Sequence, residues 1–153
     1  MKTAIAIIAS LMSVGIVGIA PAATYHLTPE NKSFTGSGTT SATKDGITLK
    51  CTAKFTGNVD GTGVGHITGG TFSGALGCSA VTLSDLPWTS PAVSKTTVDI
   101  QNATFDSPIG DCGPGTVPVT VKKGVISFTN VQLAGSCTIS GKITTTPTVA
   151  IVK

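Results

Sequence analysis

The chain has 153 residues, of which 40% are hydrophobic, 11% charged and 5% aromatic. Its ten basic residues are all lysines, set against seven acids. Without an arginine fork or a clustered basic footprint this profile argues against a nucleic-acid partner, ample hydrophobicity with little net charge argues against disorder, and the length holds one domain.

The start of the chain reads as a targeting segment. Lys2 gives one positive charge, residues 4–19 are apolar apart from Ser and Gly, and Ala20-Pro21-Ala22 is a small-x-small cleavage site. These are the three parts of a secretory signal peptide, expected over residues 1–22 and cut after Ala22. The apolar run is short for a membrane span, which needs about 20 residues. No transmembrane segment is expected after cleavage, and the protein is expected to be secreted, at the cell surface or in the periplasm. Removing residues 1–22 leaves 131 residues with nine lysines against seven acids, a net charge of +2. Thr (25) and Ser (12) then supply most of the polar surface, which is cheaper to strip of water than one of Lys and Glu.

Residues 23–45 carry one large apolar anchor, Phe34, among Gly, Ser and Thr, and are expected to be a partly flexible N-terminal segment. From residue 46 the pattern changes. Ile47, Leu49, Cys51, Ala53 and Phe55 alternate with Thr48, Lys50, Thr52, Lys54 and Thr56, the period of a half-buried strand. Asp45-Gly46 and Asp60-Gly61 bracket it as hairpin turns, since glycine accepts positive φ. Further strands are expected at 66–72, 80–83, 96–105, 117–121, 125–133, 137–143 and 148–152, with Lys123-Gly124 as a tight turn. No stretch after Ala23 has a helical period. Short strands at regular spacing imply an all-β fold over 46–153: an antiparallel β-sandwich, jelly-roll or immunoglobulin-like.

Cys51, Cys78, Cys112 and Cys137 are an even set in an exported chain, read as two disulfides. Of three pairings, Cys51–Cys78 and Cys112–Cys137 are favoured because each brackets a hairpin. Residues 67–78 also align with 126–137, sharing Ile, Ala and Cys. Zinc would need closer Cys or His spacing than His26 and His66 provide.

No cofactor or metal is expected. Asp60-Gly61-Thr62-Gly63 lacks the acid ladder of a calcium loop and reads as a turn. Asp106 and Asp111 flank Pro108 and Gly110 as hydrated loop carboxylates, and His66 is placed on the solvent face of its strand. There is no Gly-x-Ser-x-Gly elbow. Asn31-Lys32-Ser33 and Asn102-Ala103-Thr104 match only the glycosylation acceptor pattern. Trp88, the sole tryptophan, follows Leu86-Pro87. Leu86 and Trp88 are the candidate hydrophobic contact; the competing reading puts Trp88 in the core, where tryptophans are commonest.

Leu49-Lys50-Cys51, the segment from Phe72-Ser73-Gly74 to Cys78, Leu86-Pro87-Trp88, Cys112-Gly113-Pro114-Gly115, and Cys137-Thr138-Ile139-Ser140-Gly141 with Thr146-Pro147 resemble the PraB-type alkane oxidation protein activators. The resemblance spans nearly all of the mature chain. It implies a small exported bacterial protein that assists growth on long-chain alkanes by dispersing or delivering oil, without enzymatic chemistry, its partner being the hydrophobic substrate or the oil–water interface. No catalytic residue is carried over from it. A fibre or matrix subunit, with residues 24–43 lent to a neighbouring copy as an added strand, is the alternative. A carbohydrate-binding module ranks last, because such modules present several aromatics on one face.

Overall fold

The computed structural model describes residues 24–153. The expected signal peptide, residues 1–22, lies outside the described residues. Eleven strands follow in chain order: β1 His26–Thr28, β2 Lys32–Lys44, β3 Ile47–Val59, β4 Gly65–Gly74, β5 Thr82–Ser84, β6 Trp88–Ser90, β7 Thr97–Asp106, β8 Cys112–Lys122, β9 Val125–Leu133, β10 Cys137–Thr146 and β11 Ala150–Val152. A 3-10 turn, Cys78–Ala80, separates β4 from β5. The all-β, antiparallel character matches the expectation. The sandwich does not: nine strands form one curled sheet in the order β5-β7-β8-β9-β10-β2-β3-β4-β6, with β1 and β11 as a separate two-stranded ribbon.

Local chemistry explains the meander. Asp45 (φ 51) and Gly46 (φ 77) join β2 to β3, and Lys123 (φ 49) and Gly124 (φ 78) join β8 to β9. Two successive positive-φ residues make the primed two-residue turn whose twist suits a hairpin. Inside the curl, bulky and small residues face each other across strands. Phe34 is opposite Gly57, Phe55 lies between Gly36 and Gly70, and Phe128 is opposite Gly141. A glycine beneath a ring gives the sheet room to bend and the ring a floor to pack on.

This pairing decides the place of residues 32–44. Expected within a partly flexible segment, they form β2, hydrogen-bonded along its length to β3 on one side and β10 on the other. Their inward positions are Phe34, Gly36, Gly38, Thr40 and Ala42. A Cβ on Gly36 would come within 2.7 Å of Ile143 Cγ2, so the neighbouring strands already fill the space.

Curling brings the margins of the sheet together at one end. Past β6, Asp99 N donates to Pro91 O (3.0 Å) and Val93 N to Thr97 O (2.9 Å), tying the chain after Ser90 to the start of β7. Farther along, no ladder joins the rest of β4 to β5, and Leu83 packs over Gly70 instead. The core fills the inside of the curl, from Leu27 and Val59 through Trp88, Val98, Val117 and Val119 to Leu133 and Cys137. The β1–β11 ribbon contributes Leu27 and Ile151 to it, and Leu27 N donates to Gly63 O (2.8 Å).

Candidate functional site

Alternation puts every second side chain of the long strands inside the curl, and those positions are almost all apolar. They line a cavity of about 130 Å³. Its lining holds no Asp, Glu, Lys or His. A few hydroxyls interrupt the apolar wall. Thr145 Oγ1 donates to Gly124 O (3.0 Å) and accepts from Val149 N (2.9 Å), Ser107 Oγ donates to Gly110 O (2.7 Å), and Thr40 Oγ1 donates to Cys51 O (3.3 Å). Ser90, only 5% exposed, has no hydrogen-bond partner for its hydroxyl.

The outer face is of a different kind. Along the β2–β3 hairpin Thr35 pairs with Thr56, Thr39 with Thr52 and Thr43 with Thr48, while Ser37 and Ser41 pair with Lys54 and Lys50. Thr43 and Thr48 hydrogen-bond to each other at 2.8 Å. Cross-strand hydroxyl pairs of this kind stabilise a sheet modestly. A shallow groove on this side is bordered by Thr39, Lys50, Thr52 and Lys142.

Leu86 and Trp88, expected together as a contact, point apart. Leu86 is partly exposed in the β5–β6 connection, whereas Trp88 is 6% exposed and its Nε1 donates to Ser84 O (2.8 Å). The exposed-anchor reading of Trp88 is therefore replaced by the core reading: the indole N–H has a carbonyl partner inside, which removes the cost of burying it. The large apolar side chains that do face out are Leu76, fully exposed beside the 3-10 turn, Ile47 at the start of β3 and Leu86 itself, with Val93 and Val152 elsewhere.

Cys51 is bonded to Cys78 and Cys112 to Cys137, the pairs that bracket the β3–β4 and β8–β9 hairpins, with Cα–Cα distances of 5.6 and 5.7 Å. The Asp60-Gly61 turn is more than a hairpin tip. Asp60 Oδ1 accepts from Thr62 N (2.8 Å), Thr62 Oγ1 (2.6 Å) and Val64 N (3.1 Å), and His66 Nε2 lies 2.8 Å from Oδ2. The Thr62 hydroxyl first, then His66, hold this carboxyl well below the ordinary carboxylate range. His66 is therefore a partner of Asp60 and not a free surface residue. Asp106 accepts from Ser84 Oγ (2.9 Å), and among the described residues no group of three or more His, Cys, Asp or Glu gathers as for a metal.

A cavity lined this way offers contact area and no acid–base pair. The alkane oxidation protein activator PraA/PraB-like family model matches residues 1–153. The chain belongs to that family. No curated protein and no solved structure matches the chain. For this PraA/PraB-like protein the two disulfides fit an oxidising compartment, and among the described residues no helix is long and apolar enough to cross a membrane.

The interior site left little signal in the sequence. Ser90 sits in Trp88-Thr89-Ser90-Pro91, where it looks like any serine before a proline. Only the alternation from Trp88, had that residue been placed inward, marks Ser90 as inward too.

Proposed function

We propose that the protein is an exported, non-enzymatic accessory to growth on alkanes, which disperses or delivers the hydrophobic substrate at the oil–water interface. Membership of the alkane oxidation protein activator family over the whole chain carries this reading. The architecture supports it. An alkane offers nothing to hydrogen-bond, so contact with it must come from apolar area, at about 25 cal/mol per Å² removed from water. Leu76 and Ile47 provide such area on a surface otherwise rich in Thr and Ser, and the Cys51–Cys78 bridge ties β3, which opens with Ile47, to the 3-10 turn beside Leu76.

Purified mature protein is expected to lower hexadecane–water interfacial tension and to stabilise a hexadecane emulsion. Replacing Leu76 and Ile47 together by Ser should weaken both effects without unfolding the protein. An effect no larger than that of an equal mass of an unrelated secreted β protein overturns the reading. The fibre alternative has less support, because the strand to be lent, β2, is paired on both flanks and would have to break two ladders.

A further inference from the structure

Ser90 is the buried hydroxyl without a partner among the described residues. It lies on β6 with Trp88, two residues away and facing the same way, and both line the apolar cavity. Gly65, directly opposite on β4, leaves its space to Ser90 and Leu27: a Cβ there would stand 3.3 Å from Ser90 Cβ and 3.0 Å from Leu27 Cδ1. Leaving a hydroxyl dry and unpaired in such a place is costly. The other buried hydroxyl, that of Thr145, is fully engaged.

We infer that the inside of the curled sheet is a binding site for a short single-chain alcohol, its alkyl chain in the apolar cavity and its hydroxyl bonded to Ser90 Oγ. The class follows from the lining. A hydroxyl can donate to and accept from Ser90, whereas an alkane can do neither, and a carboxylate finds no cation in the lining to offset its charge. The size follows from the volume. An apolar cavity of about 150 Å³ takes benzene, so 130 Å³ here sets a ligand of about six carbons. A hexadecane molecule does not fit, which separates this site from contact with bulk oil. The way in is the seam where Leu83 of β5 rests on Gly70 of β4 with no backbone ladder between them.

The test titrates oxidised mature protein with 1-hexanol, hexane and hexanoate, reading Trp88 fluorescence and the thermal midpoint, which ligand binding to the folded state raises. 1-Hexanol is expected to bind about tenfold more tightly than hexane, the worth of one satisfied buried hydroxyl, and hexanoate not at all. In Ser90→Ala the alcohol should lose its advantage while hexane binds as before. Equal affinity for hexanol and hexane in the wild type, an alcohol preference that survives Ser90→Ala, or no response to either ligand overturns the inference. The wild-type comparison decides even if the variant does not fold. The hexadecane emulsion assay is independent of it: loss of emulsification with hexanol binding intact overturns the interfacial function alone.

Discussion

The two ends of the curled sheet are held by different chemistry. At one end, where the β2–β3 hairpin turns at Asp45-Gly46, two disulfides tie β3 to the 3-10 turn and β8 to β10. At the other, polar side chains do the work: Asp60 gathers its own loop, His26 lies 3.3 Å from Glu30, and Thr145 binds the β8–β9 turn to the chain before β11. Covalent staples stand where the sheet margins lack a ladder, and hydrogen bonds suffice where residues 91–93 join them to β7. The large exposed apolar side chains Leu76 and Ile47 are at the stapled end, so this exposed apolar area lies on the part of the sheet that covalent bonds hold.

The largest effects are expected from the staples. The bridged residues are 27 and 25 apart, and loops of that size are worth about 3–4 kcal/mol each in the chain-entropy model. Replacing both cysteines of a pair by Ser should cost more for Cys112 and Cys137 than for Cys51 and Cys78. Both members of the former belong to the central apolar cluster, where two hydroxyls would be left in an apolar setting. Urea unfolding of the two double variants checks the order, and an equal or inverted order would mean that loop closure alone sets their worth.

A smaller contrast lies in the two turns. Gly46 and Gly124 have nearly the same φ, 77 and 78, so an alanine at either pays the same backbone strain, about 1 kcal/mol. Their surroundings differ. Nothing lies within 4 Å of a Cβ at Gly46, whereas a Cβ at Gly124 would meet Thr148 Cγ2 at 3.0 Å and Thr145 Oγ1 at 3.4 Å. Gly124→Ala should therefore lower the urea midpoint more than Gly46→Ala. Equal losses would show that the 145–148 segment yields freely, and would remove it as a fixed clamp.

What the sequence made legible follows from how strongly each element marks itself. β3 alternates Ile, Leu, Cys, Ala and Phe against Thr and Lys, and β9 runs from Val125 to Leu133, so both can be read directly. The primed turns announce themselves through Asp-Gly and Lys-Gly. β2 does not, because its inward residues are small to suit Phe55 and Ile143 on its neighbours: the apolar pattern belongs to the pair and not to the strand. The same logic hid the sheet's closure. A sandwich and a curled sheet share their alternation, and only long-range pairing distinguishes them. Residues 67–78 and 126–137 look alike, yet Cys78 enters a 3-10 turn and Cys137 opens β10, so the likeness stops at the disulfide. Trp88 gave no sign of its direction, and with it the inward-facing Ser90 stayed hidden.

The smallest expected effect sharpens the polar end. Asp60 is half-exposed, and its carboxyl is held well below its ordinary value of 3.8 by the Thr62 hydroxyl, His66 and the Val64 amide. A carboxyl whose folded value is depressed adds stability that is fully present above the unfolded value, and that drains away as pH falls below it toward the folded one. The loss therefore begins on the acid side of about pH 4. Asn at this position still accepts hydrogen bonds but carries no charge and does not titrate. Wild type should thus exceed Asp60→Asn in thermal midpoint at pH 6, with the gap narrowing steadily from pH 4 down to pH 2.5. A gap that stays constant over that range would assign the loop's order to its hydrogen-bond geometry alone, and would leave the charge on Asp60 with no part in holding this end of the sheet.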